Sequence, residues 1–135
     1  MPVKKKQRMN KCVLDASAIL ALLNVESGAG KVQELLPVAI ISTVNYAEVV
    51  TRLSLLGMPE DEIREALYML GLDIISFDEG LSFQTGALAI VTKQYGLSLG
   101  DRACLALALK TGYPAVTSDK VWQELNIGVD IKLIR

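Results

Sequence analysis

Four carboxylates, Asp15, Glu48, Asp101 and Asp119, stand where chemistry would collect in a chain of alternating strands and helices. Asp15 ends the apolar run of residues 12–14, which reads as a buried strand, and opens a helical pattern over 16–23. Glu48 lies about one turn inside the helix that follows a β-branched strand over 38–41, and Asp119 follows a strand over 114–117. Asp101 follows no strand directly and heads a helix rich in Ala and Leu. In open parallel sheets the carboxyl edge of the strands is where ligands bind. The chain contains no histidine, which removes Ser-His-Asp and Cys-His catalysis and nearly all catalytic zinc sites. An all-oxygen set suits magnesium or manganese, and its natural chemistry is metal-assisted phosphoryl hydrolysis.

Each acid also has a plainer reading. Asp15 and Asp119 fit helix N-caps, and Asp101 stands three residues after Ser98 in a spacing close to a capping box. Glu48 is expected on the face of Val44 and Leu55 in a buried helix, where a carboxylate without a partner is costly. Taken together, four acids about 5 Å apart would repel by roughly 3 kcal/mol per pair at an effective dielectric near 20. Six such pairs approach the whole stability of a domain. Either some of the acids hold protons or divalent cations bind.

The elements that must position these residues follow from the pattern. Beyond the first strand and helix, Ser27-Gly28-Ala29-Gly30 is a turn, and a short helix over 31–36 stops at Pro37. Gly28-Ala29-Gly30-Lys31 is not a phosphate loop, because Val25 and Val32 occupy the positions of its first glycine and its Ser or Thr. Ser42 and Thr43 cap a helix over 44–56, and Pro59 with three acids opens another that ends at Gly71. A third strand is expected over 73–77, then a long helix capped by Asp78 and running to Tyr95. The apolar stretch from Ala103 to Leu109 has no β-branching and reads as a helix buried all round. A short helix after Asp119 and a fifth strand over 131–134 complete the chain. Strands separated by one or two helices imply crossovers and a parallel sheet between helix layers.

Composition bounds the rest. With 135 residues, 51% hydrophobic and 21% charged, the chain fits one folded domain over residues 12–135. Five of the 14 basic residues precede Cys12 and none of the 15 acids do, so residues 1–11 form a basic arm on an acidic body. The arm and the apolar stretch after it imitate a secretory signal, but Asp15 interrupts the apolar region and no cleavage site follows. No run reaches the roughly 18 apolar residues that span a membrane. Cys12 and Cys104 sit in apolar runs as reduced packing residues, in keeping with a cytoplasmic location.

The segments Leu14-Asp15-Ala16-Ser17, Ser42-Thr43-Val44-Asn45-Tyr46-Ala47-Glu48, Leu97-Ser98-Leu99-Gly100-Asp101-Arg102-Ala103 and Val116-Thr117-Ser118-Asp119 together resemble the PIN domain. They look most like the VapC-type toxins of bacterial toxin-antitoxin pairs, over Cys12 to Arg135. The resemblance implies a three-layer α/β/α sandwich with a central parallel sheet of about five strands. It also implies a ribonuclease dependent on Mg2+ or Mn2+, with Asp15, Glu48, Asp101 and Asp119 matching the family's acidic quartet. Ser17 and Thr117 match polar positions that orient those carboxylates. The partners it implies are an RNA substrate, a small antitoxin protein and a second copy of the chain, with no membrane. Helices over 44–56 and 60–70 are candidate surfaces for these contacts, and core packing accounts for their apolar residues equally well.

Other acid-bearing folds fit less well. A receiver-like phosphoacceptor domain wants an acidic pair after the first strand and an Asp directly after the third, where Ser76-Phe77 intervenes. A haloacid-dehalogenase-type phosphatase wants a second Asp two residues after Asp15, where Ser17 stands. The rival reading is a PIN-like fold that binds protein with weak catalysis or none. Arg102 and Lys120 adjoin quartet acids and are candidates for phosphate contact, with a solvated surface position the plainer reading of each.

Overall fold

The computed structural model describes residues 11–135, so most of the basic arm lies outside the described residues. Five strands, β1 (Cys12–Leu14), β2 (Ala39–Ser42), β3 (Asp73–Ile75), β4 (Ala115–Thr117) and β5 (Ile131–Leu133), form one parallel sheet in the order β3-β2-β1-β4-β5. The strand order reverses at β1, which pairs with β2 through Val13 and Ile40 and with β4 through Val13 and Ala115. That reversal opens a crevice at the carboxyl ends of β1 and β4.

Helices α1 (Ala16–Leu23), α2 (Ala29–Leu35), α3 (Thr43–Leu55) and α4 (Glu60–Tyr68) cover one face of the sheet. Helices α5 (Glu79–Val91) and α6 (Leu99–Thr111) cover the other. The period of two along each strand splits the core between the faces. Cys12, Leu14, Ala39, Ile41 and Val116 pack with Ile19, Val49, Leu53, Ile63 and Leu67. Val13, Ile40 and Ala115 pack with Leu81, Leu88, Leu105, Leu107 and Trp122 on the opposite side. This is the expected three-layer sandwich.

Helix α6 owes its length to local chemistry. Ser98 caps its start, Gly112 ends it in the left-handed region at φ 78°, and residues 103–108 between them are buried. Burial on every side of a helix of Ala and Leu places it against the sheet centre.

Several boundaries differ from the sequence reading. Strand β2 starts at Ala39 because Leu36–Val38 winds into a 3-10 turn around Pro37. Strand β3 stops at Ile75, and the Phe77 N–H donates to the Thr43 hydroxyl at 3.0 Å instead of extending the ladder. Helix α5 ends at Val91; the Thr92 hydroxyl donates back to the Leu88 carbonyl, and a separate 3-10 turn spans Lys93–Tyr95. The segment after Asp119 is also 3-10, over Lys120–Glu124. Among the described residues no helix is long and apolar enough to cross a membrane.

Candidate active site

Asp15 sits at the mouth of the crevice, 5% exposed. Its backbone N–H continues the sheet by donating to the Val116 carbonyl, and its side chain caps α1 by accepting from the Ala18 N–H at 2.9 Å. The Ser17 hydroxyl donates to the same oxygen, Oδ1, at 2.7 Å, and the Thr117 hydroxyl donates to Oδ2 at 2.5 Å. Three donors favour the ionised carboxylate, but loss of hydration on burial outweighs them. Burial, with the nearby Asp101 charge, pushes the carboxyl up to about 6.

Ser17 and Thr117 each link two parts of the site. Thr117 accepts from the Asp119 N–H at 3.0 Å while donating to Asp15, and Ser17 accepts from the Ser118 N–H at 3.0 Å. Both hydroxyl protons point at Asp15, so the 3.4 Å approach of Ser17 Oγ to Thr117 Oγ1 is a contact between acceptors. Asp119 is exposed and uses Oδ1 to accept from the Val121 N–H at the start of the 3-10 turn. Asp101 completes a capping box with Ser98: its Oδ2 accepts from the Ser98 N–H at 3.0 Å, and its own N–H donates to Ser98 Oγ at 3.1 Å.

Glu48 departs from expectation. The buried face of α3 carries Asn45, Val49 and Leu53, whereas Ala47, Glu48 and Leu55 face outward, Leu55 with 78% exposure. Glu48 is therefore an exposed residue whose carboxylate folds back against α6. Asn45 Nδ2 donates to its Oε1 at 2.8 Å and to the Gly100 carbonyl at 3.0 Å. Loss of hydration on that covered flank raises the Glu48 carboxyl above its ordinary value, the Asn45 bond opposes this, and the Asp101 charge adds to it. Arg102 Nη1 donates to the Thr85 carbonyl at 2.9 Å, which fastens α6 to α5.

The cap reading and the cleft reading thus hold together for Asp15, Asp101 and Asp119, because the element ends they cap meet at one edge of the sheet. All four acids, with Ser17, Asn45 and Ser118, line one cleft of about 440 Å³. Asp15 spends both oxygens on donors. Among the described residues, Glu48 Oε2, Asp101 Oδ1 and Asp119 Oδ2 have no donor. Among the described residues no Lys or Arg forms an ion pair with any of the four; the ion pairs there are Arg64–Glu60, Lys110–Asp78 and Arg135–Glu26. Uncompensated charge with free carboxylate oxygens fits a hard divalent cation. No group of three acids among the described residues already surrounds one point as a cage. A cation here would accordingly complete its shell with water, as Mg2+ commonly does.

Two residues at the site have no role in the sequence reading, Asn45 and Gly100. The signal for Asn45 was its position three residues before Glu48, where helical side chains meet. For Gly100 it was a glycine inside the first turn of a helix, a place where no cap requires one.

Comparison with known proteins agrees with this architecture. The PIN-domain family pattern matches residues 12–127, so the chain belongs to the PIN-domain family. No curated protein sequence matches it. Among solved structures, a DNA-bound VapBC from Salmonella typhimurium is similar, with a TM-score of 0.74 and 18% identity over 93% of this chain and 98% of that one. A toxin-antitoxin complex from Klebsiella pneumoniae gives 0.72 and 21% over the same shares. VapBC-1 from nontypeable Haemophilus influenzae gives 0.69 and 19%, over 91% of this chain and 97% of that one. At these identities the likeness is one of fold.

Proposed function

We propose that this PIN-domain protein is a metal-dependent endoribonuclease and the toxin component of a toxin-antitoxin pair. The observation that carries the reading is the acid-lined cleft at the β1–β4 crevice, without a neutralising cation from the described chain. Asp15, Glu48, Asp101 and Asp119 would hold Mg2+ or Mn2+. When bound, the cation supplies a Lewis acid beside an RNA phosphodiester and offsets charge that the bare cleft holds poorly. Ser17 and Thr117 hold the Asp15 carboxylate in place, and the capping box with Ser98 holds Asp101. The similar folds seen in VapBC and toxin-antitoxin complexes support a small antitoxin as partner. Exposed Leu55 and Leu56 at the end of α3 and Tyr68 and Met69 at the end of α4 suit that contact and a homodimer. The domain would span residues 12–135 and act in the cytoplasm.

Purified protein is expected to cut RNA with Mn2+ or Mg2+, to stop on adding EDTA, and to lose cleavage in Asp101→Asn. Cleavage that survives in the Asn variant would identify a contaminating nuclease and end the assignment. A second reading is a PIN-like module that binds protein without cutting; the exposed Leu55, Leu56, Tyr68 and Met69 are the observation that favours it. Inactivity towards a broad panel of structured RNAs would select it.

A further inference from the structure

Asn45 is 1% exposed, and the other buried polar side chains among the described residues, Asp15, Ser42, Thr85, Thr92 and Thr117, are all shorter or acidic. Its amide is oriented without ambiguity. Both Nδ2 protons are spent, one on Glu48 Oε1 and one on the Gly100 carbonyl 55 residues away, and Oδ1 is buried without a partner. Burying an unsatisfied acceptor costs about 1–3 kcal/mol, so packing alone gives no reason to keep an amide here. The opposite orientation would leave the Glu48 carboxylate facing an oxygen.

Gly100 supplies the other half. A Cβ built on it would fall on the Glu48 carboxylate, against Oε1, Oε2 and the carboxyl carbon alike. Gly100 has no positive φ and caps nothing, so backbone freedom does not explain it. Its value is the absence of a side chain: the carboxylate lies in the space a methyl group would fill, one residue before Asp101. An exposed Glu on a helix surface would otherwise sample several rotamers and lose entropy on taking a ligand.

We propose that Asn45 is the positioning residue for Glu48, pinning its carboxylate into the gap left by Gly100 and so setting how tightly the cleft takes a divalent cation. This rests on the metal-dependent reading above, and it concerns one carboxylate of that site. Asn45 acts through Glu48, since both of its donors are committed to Glu48 Oε1 and the Gly100 carbonyl.

The test begins with metal-free full-length protein. In its NMR spectrum the Asn45 side-chain amide protons are expected to exchange slowly with water, and Glu48→Ala to shift one of the two. Rapid exchange in the wild type overturns the clamp, whatever the protein does with metal. The second arm is calorimetric titration with Mn2+ alone. Asn45→Leu keeps the size and removes both donors, and Gly100→Ala displaces the carboxylate while favouring the helix. Each is expected to weaken Mn2+ binding by roughly 10- to 100-fold, the usual effect of losing a group that orients a metal ligand. In a Glu48→Ala background neither substitution should weaken it further, whereas a merely structural role would carry its penalty into that background. Equal affinity in wild type and both variants, or an undiminished penalty in the double variants, overturns the inference and leaves the metal reading standing. Wild-type protein that takes up no Mn2+ overturns both.

Discussion

Thr117 donates to Asp15 Oδ2 at 2.5 Å across 102 residues of chain, and the same hydroxyl oxygen accepts from the Asp119 N–H. One side chain therefore fixes two acids of the cleft, the first by its proton and the second by its lone pair. Thr117→Val keeps the shape of a fully buried residue and removes both bonds. Leaving a buried carboxylate and an N–H short of partners is expected to destabilise the protein by about 1–3 kcal/mol. Urea denaturation measures this, with the midpoint shifting and the slope unchanged.

The raised carboxyl of Asp15 has a consequence for pH. Its value is about 6 in the folded chain against 3.8 for the free group. Between those values the folded state binds the extra proton, so this group adds stability as pH falls from above 6 towards 4 and removes it as pH rises through 6. The full swing is roughly 3 kcal/mol, taking 1.36 kcal/mol per unit. Metal-free Asp15→Asn is expected to be more stable than wild type at pH 7 and to lose most of that pH dependence. Urea midpoints collected from pH 4 to 7.5 check it; a flat wild-type profile would contradict the assignment.

Divalent cation should act in the opposite sense. Binding requires the carboxylates ionised, so affinity for Mn2+ is expected to fall as pH drops below about 6, the region of the Asp15 titration. At pH 7.5, saturating Mn2+ should raise the melting temperature, since a ligand at 100 times its Kd stabilises by about 2.7 kcal/mol. Asp101→Asn should remove most of that gain. Scanning calorimetry with and without EDTA measures the difference.

Val25 offers a check remote from the cleft. It is the one non-glycine residue at positive φ among those described, at 52°, and it is 84% exposed. A β-branched side chain in the left-handed region costs about 1–2 kcal/mol, and almost no burial offsets it. Val25→Gly is expected to stabilise the fold by roughly 1 kcal/mol after the entropy of glycine is counted. Thermal melts of the variant settle the sign.

Much of this was legible in the chain itself, for a common physical reason. The caps at Asp15, Ser42, Asp78, Ser98 and Asp119, the stop at Gly112 and the alternation along β1, β2 and β4 involve neighbours within about four residues. Rules of short range read them directly. Sequence alone determined the alternation of strands and helices and which acids stand at element ends. The boundaries that moved, at Pro37, Phe77 and Thr92, moved where a turn or a hydroxyl took over a backbone bond.

Tertiary structure decided what pairs across the chain. The order β3-β2-β1-β4-β5 places β1 beside β4, and only that adjacency turns Thr117 towards Asp15. The packing of α3 on α6 decided that Asn45, not Glu48, enters the core, and that Gly100 leaves room for the Glu48 carboxylate. Helical periodicity marks which residues share a face, but the burial of that face depends on a neighbouring element whose position no local rule contains. Asp15 at the end of β1 was a property of the sequence; the cleft around it is a property of the fold.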